Sequence, residues 1–168
     1  MKLTNEQQHA LDLYISKKNI FITGPGGCGK SFIIKKFVSV AKTNGFKYQV
    51  CALTGCAALL LESKAKTIHS WAGIGLANEE NSIIVKKIFK NKYKKHRWQN
   101  IDVLIIDEIS MMSKRIFELI DELAKKCRKN NKPFGGIQVV FCGDFYQLPP
   151  ISKNNDKIQF CFESPLFD

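Results

Sequence analysis

The chain has 168 residues, 45% of them hydrophobic, enough for one compact domain with a real core. No apolar run approaches the ~20 residues that span a bilayer, and the polar start MKLTNEQQHALDLY lacks a signal-peptide core. The formal net charge of +11 favours a polyanionic partner, nucleic acid before membrane; the alternative is a Lys-rich solvated surface.

These features predict a soluble intracellular protein with no membrane partner. They do not distinguish nucleus, mitochondrion, cytoplasm or a viral replication site. The six cysteines contain no C-x-x-C pair, and most sit in apolar surroundings. Neither a disulfide framework nor a zinc site is expected.

In chain order, Thr4 followed by Gln7 reads as a capping box opening a helix over 5–18. NIFIT (19–23) is a short buried strand leading into a glycine loop. A helix over 31–43 puts Ile33, Ile34, Phe37, Val38 and Ala41 on one side, and Gly45 ends it as a left-handed cap. YQVCALT (48–54) is a second strand and IDVLIID (101–107) a third, whose continuous apolar run fits a parallel sheet covered on both faces. Residues 113–129 form an amphipathic helix with Ile116, Leu119, Ile120 and Leu123 inward. GIQVVFC (136–142) is a fourth strand and IQFCF (158–162) a candidate fifth. Strands alternating with helices predict an α/β, three-layer fold with a mostly parallel sheet.

GPGGCGKS (24–31) fits the phosphate-loop pattern G-x-x-x-x-G-K-S/T, between a predicted strand and a helix as that motif requires. Gly24, Pro25, Gly26, Gly27, Cys28 and Gly29 make up the candidate nucleotide-binding loop, whose glycines let backbone N–H groups turn inward toward phosphate oxygens. The helix beginning near Lys30 aims its positive end at the same charge. Lys30 is suited to the β- and γ-phosphates of ATP, and the Ser31 hydroxyl to Mg²⁺. In VLIIDEIS (103–110), Asp107 is suited to hold Mg²⁺ through water and Glu108 to orient or deprotonate the attacking water. Gln7 has two readings: the helix cap, favoured by composition, or recognition of the adenine edge by its paired donor and acceptor.

Five blocks occur in order: LTNEQ, GPGGCGKS, ALTGCAA, TIHSWAGIG and IIDEIS…GDFYQLPPI. Together they resemble superfamily 1 DNA helicases of the petite integration frequency (PIF) type, related to RecD, over most of 1–168. GDFYQLPP and TIHSWAGIG discriminate best, and FESPLF (162–167) resembles the segment that follows.

The resemblance implies a RecA-like P-loop NTPase domain that couples ATP hydrolysis to 5′→3′ movement on single-stranded DNA and to unwinding of duplex or fork junctions. Replication, repair, recombination and telomere maintenance would be its settings. It also implies that Gln7 reads adenine, that Gly29, Lys30 and Ser31 form the nucleotide loop, and that Asp107 and Glu108 form the metal and water site. Gln147 would sense the γ-phosphate. Thr54, Gly55, His69 and Ser70 would touch the DNA backbone. Cys28 stands where Thr or Ser is commoner, at a position that needs only backbone.

Small residues at Thr54 and Gly55 allow close approach to a phosphate, although an ordinary strand-to-helix turn explains them too. Trp71 could stack on a base, but core packing is the stronger reading. In SIIVKKIFKNKYKKHRWQ (82–99), seven Lys/Arg interleave with Phe89, Tyr93 and Trp98 and no acid intervenes. That composition suits a nucleic-acid strand and a solvated helix face equally.

Helicases of this kind use two RecA-like domains with ATP between them. The second supplies an arginine finger worth roughly 10³–10⁵ in rate, about 4–7 kcal/mol of barrier. The motifs present fit one N-terminal RecA-like domain over 1–168, monomeric by itself and lacking the second domain. Arg97, Arg115 and Arg128 lie in no finger-like motif. The expected behaviour of the piece is nucleotide binding with slow hydrolysis. Two other functions remain open: a nucleotide-gated module that binds single strands, and an ATPase acting on protein, which leaves GDFYQLPP and TIHSWAGIG unexplained.

Overall fold

The computed structural model describes residues 2–61, 64–151 and 159–167. Helix α1 (Asn5–Ile15) opens with the expected capping box: Gln7 N donates to Thr4 Oγ1 (3.2 Å), and Thr4 N donates to Gln7 Oε1 (3.1 Å). It ends three residues earlier than 18, because Lys17 turns left-handed (φ 62°) and Lys18 N bonds Leu13 O.

Strand β1 (Ile20–Thr23) leads through the glycine loop into α2 (Lys30–Thr43). All five residues assigned to its inner side are buried, and Gly45 is left-handed beyond its end. Next come β2 (Tyr48–Ala52), α3 (Gly55–Leu60), the two-residue β3 (Lys66–Thr67), α4 (Ile68–Ala72), α5 (Asn81–Lys90) and α6 (Lys92–Gln99). Strand β4 (Val103–Asp107), α7 (Lys114–Arg128, capped by Ser113) and β5 (Gln138–Gly143) complete the domain.

The sheet is five-stranded and parallel throughout, in the order β1-β5-β4-β2-β3. Side chains alternate across it. Val103 and Ile105 of β4 join Ile34, Phe37 and Val38 of α2 on one face; Leu104 and Ile106 join Phe117, Ile120 and Leu123 of α7 on the other. Burial of every β4 residue explains its unbroken apolar run. Helices α1–α3 therefore cover one face and α4–α7 the other, giving the three layers expected.

The strand expected at 158–162 does not form. Phe160 makes one antiparallel bridge with Ser113, and Cys161–Glu163 is a 3-10 turn; residue 158 lies outside the described residues. Phe160 N donates locally to Glu163 Oε1 (3.1 Å), so its N–H is turned away from any ladder. No helix among the described residues is long and apolar enough to cross a membrane.

Candidate functional site

The carboxyl ends of β1, β5 and β4 lie side by side, and each carries one predicted motif. After β1, the loop 24–29 closes onto α2, whose first turn begins at Lys30 with Gly29 left-handed before it (φ 94°). The Lys30 ammonium folds back over this loop, donating to Gly24 O (2.6 Å) and Pro25 O (3.0 Å), with Cys28 Sγ at 3.9 Å. A cation held there by carbonyl dipoles is available to a phosphate that replaces them. Ser31 is exposed one residue on.

Asp107 ends β4 almost fully buried, at 7% exposure, and its Oδ1 accepts from Glu108 N (2.9 Å). Glu108 is left-handed (φ 58°, ψ 38°), which turns the chain sharply out of the strand. Burial raises the Asp107 carboxyl above its ordinary range, opposed by the Glu108 N–H and by Lys30. Burial also raises Glu108, followed by Asp107; Lys30 opposes, and Asp144 adds to the rise. Three carboxylates and one lysine thus share a single field.

Asp144 was not among the residues read from the sequence. It follows β5, and its carboxylate organises the next turn, Oδ1 accepting from Tyr146 N (3.0 Å) and Oδ2 from Gln147 Nε2 (3.3 Å). The three-residue spacing Asp144–Gln147 was the available signal. Gly143 lets this turn approach the Asp107 turn: a Cβ there would stand 2.9 Å from Ile109 Cγ2 and 3.0 Å from Ile109 N. Gln147 Nε2 lies beside the phosphate loop, 3.9 Å from where a Gly26 Cβ would stand.

Phe145 anchors the turn against Phe21 and Phe162, with ring centroids at 5.4 and 4.8 Å. Tyr146, its neighbour in sequence, is fully exposed. Across the loop, the half-buried Gln7 caps α1 through its oxygen while Nε2 reaches Gly29, 2.7 Å from a hypothetical Cβ. One side chain therefore serves the cap and faces the nucleotide loop.

The proposed DNA-facing residues lie on the other side of the sheet end. Thr54 caps α3, its Oγ1 accepting from Ala57 N, and Gly55 opens that helix, exposed. Thr67 caps α4, its Oγ1 accepting from Ser70 N, with His69 half-buried and Ser70 exposed. Thr54 and His69 line one groove of about 720 Å³, together with Arg115, Pro150 and Ile151. Gly55 and Ser70 are adjacent in sequence but outside its lining. Trp71 packs edge-on against Trp98 at 4.7 Å, both buried, as the core reading expected.

The three arginines all bind backbone carbonyls: Arg97 those of Ser70 and Trp71, Arg115 that of Glu79, and Arg128 those of Trp98, Gln99, Ile101 and Gly135.

A family model described as PIF1-like helicase matches residues 2–166. The chain is 42% identical over 165 residues to the "ATP-dependent DNA helicase PIF1" of Saccharomyces cerevisiae, covering 96% of this chain and 19% of that protein. The crystal structure of Pif1 helicase from Candida albicans superposes with a TM-score of 0.90 at 42% identity, over 99% of this chain and 37% of that one. Pif1 from Bacteroides in complex with ADP-AlF3 and single-stranded DNA matches with a TM-score of 0.80 at 31% identity, over 99% and 40%. The chain spans about a fifth of the length of the curated relatives it matches. On the sequence motifs, the parallel sheet and these likenesses, the chain belongs to the PIF1-like helicase family.

Proposed function

We propose that this chain is the ATP-binding and ATP-hydrolysing motor domain of a DNA helicase that moves 5′→3′ on single-stranded DNA and opens duplex at forks. The observation that carries the reading is the meeting of Lys30, Asp107, Glu108 and Gln147 at one sheet end, with Pro150 and Ile151, just beyond Gln147, lining the Thr54–His69 groove. One short segment thus touches both proposed sites. The Pif1 structure holding ADP-AlF3 and single-stranded DNA supports the same pairing of ligands.

In this reading the loop 24–29 and Lys30 bind the phosphates, and Gln7 bonds the adenine edge through its Nε2. Ser31 and Asp107 offer a hydroxyl and a carboxylate, hard oxygen donors of the kind Mg²⁺ takes alongside phosphate and water. Bound there, Mg²⁺ would neutralise charge on the phosphate oxygens. Glu108 orients the attacking water and accepts its proton, a role its raised pKa suits. Gln147 reports the γ-phosphate to the 148–151 segment. Thr54, Gly55, His69 and Ser70 hold the strand by its backbone, which carries no sequence information.

The engagement of Arg97, Arg115 and Arg128 with backbone carbonyls favours a finger supplied by a second RecA-like domain closing over the nucleotide. Within 1–168 alone, nucleotide binding with slow hydrolysis is expected. Fluorescent-nucleotide titration of the helicase containing this domain tests the proposal. Wild type should bind and Lys30→Ala should lose binding; equal affinity in both would contradict the phosphate-loop assignment.

A further inference from the structure

The basic stretch 82–99 could be read equally as a nucleic-acid contact or a solvated face, and neither reading accounts for what α6 does. Lys94, Arg97 and Trp98 stand on one face of α6, at the three- and four-residue spacings that align side chains. All three donate to the end of α4. Arg97 donates to Ser70 O (3.4 Å) and to Trp71 O, Trp98 Nε1 to Ala72 O (3.3 Å), and Lys94 Nζ to Gly73 O (2.9 Å). Four consecutive carbonyls are therefore held by one neighbouring helix.

The last carbonyls of any helix lack partners within it, and a five-residue helix has little stability of its own. Cationic donors at a helix carboxyl end also match its dipole. The join is close: Gly73 is left-handed (φ 76°), and a Cβ there would stand 2.8 Å from Lys94 Cδ. Behind α6, Arg128 holds the carbonyls of Trp98, Gln99 and Ile101 through one nitrogen and Gly135 O through another. A continuous set of bonds thus runs from the end of α7 through α6 to α4, the helix bearing His69 and Ser70.

We infer that Arg97, seconded by Lys94, is a positioning residue for the single-strand track. It sets the angle of α4, and so where His69 and Ser70 meet the DNA, without touching the strand. The inference rests on the reading of His69 and Ser70 as strand contacts. Arg97 suits the task because a single nitrogen, Nη1, reaches both the Ser70 and the Trp71 carbonyl.

The test uses the DNA-stimulated ATPase and DNA affinity of the helicase containing this domain. Arg97→Ala should raise the oligonucleotide concentration giving half-maximal stimulation roughly tenfold, with unchanged KM for ATP and unchanged rate without DNA. Arg97→Lys should recover most of the loss. The slope of log affinity against log salt should stay at the wild-type value, because no phosphate contact is removed. A slope lower by about 1 would mean direct contact and overturn the inference. So would unchanged DNA dependence, or an equal loss of ATP affinity.

If Arg97→Ala does not fold, Lys94→Met keeps the stem over Gly73 and removes the ammonium; wild-type DNA dependence in it overturns the inference. The double variant His69→Ala, Ser70→Ala separates the two readings. Wild-type DNA affinity there defeats the strand-contact reading itself, whereas weakened affinity there with normal Arg97→Ala defeats only the positioning role.

Discussion

Gln147 Nε2 donates to Asp144 Oδ2 at 3.3 Å while lying beside Gly26 of the phosphate loop. The same carboxylate accepts from Tyr146 N and raises the pKa of Glu108. Asp144 thereby sets the resting place of the proposed γ-phosphate sensor. In the helicase containing this domain, Gln147→Ala should retain ATP binding and lose unwinding. Asp144→Ala should reproduce the defect, lowering DNA-stimulated turnover by up to roughly 10²-fold through misplacement alone. Parallel nucleotide-binding and strand-displacement assays check both; normal unwinding in Gln147→Ala would remove the sensor role.

Phe145 and Tyr146 are neighbours in sequence with opposite environments. Phe145 packs among Phe21, Phe160, Phe162 and Phe167, and Tyr146 faces solvent. Phe145→Ala should destabilise the fold by about 2–4 kcal/mol, near the lower range for aromatic truncation because the ring is half-buried. Tyr146→Ala should stay within about 0.5 kcal/mol. Urea unfolding measures both, and equal effects would contradict the packing described.

Gly143 allows the β5 exit to pass the Asp107 turn. Gly143→Ala puts a methyl 3.0 Å from Ile109 N, against backbone that cannot swing aside. A loss of about 1–3 kcal/mol is expected, together with slower ATP turnover because Glu108 shifts with Ile109. Denaturation and steady-state hydrolysis provide the readouts.

The raised carboxyls of Asp107 and Glu108 fix a sign for pH dependence. In the unfolded chain both groups ionise at their ordinary values, so above those values the folded state retains more protons. The nucleotide-free domain therefore loses stability as pH rises from the ordinary carboxylate range through the folded values. Asp107→Asn removes one buried charge and should stabilise the protein by about 0.5–2 kcal/mol at neutral pH while abolishing hydrolysis. Thermal melts from pH about 4 to 7, with wild type and variant compared, test the direction.

The sequence made the sheet and the nucleotide loop legible for a physical reason. Strands such as β4 are buried on both sides and read as unbroken apolar runs, while Lys30 and Asp107 sit in patterns tied to strand ends. The position of β5 between β1 and β4 puts Gln147 next to the loop. A helix is one of the readings open after Thr54 and over 82–99, where α3, α5 and α6 form, but α4 is not legible. A five-residue helix such as α4 has no periodicity to detect and depends on donors from Lys94, Arg97 and Trp98, which lie more than 20 residues away in sequence. An acid beside a turn reads as a cap, and the reach of Asp144 toward Glu108 appears only once β4 and β5 are neighbours. The residues at 158–162 have strand-like composition, yet Glu163 takes the Phe160 N–H into a local turn.

Steady-state ATP hydrolysis by the helicase containing this domain, with and without single-stranded DNA, tests the central claim most directly. The account predicts strong stimulation by single strands, abolished by Lys30→Ala and by Glu108→Gln. A rate that single-stranded DNA leaves unchanged would contradict it.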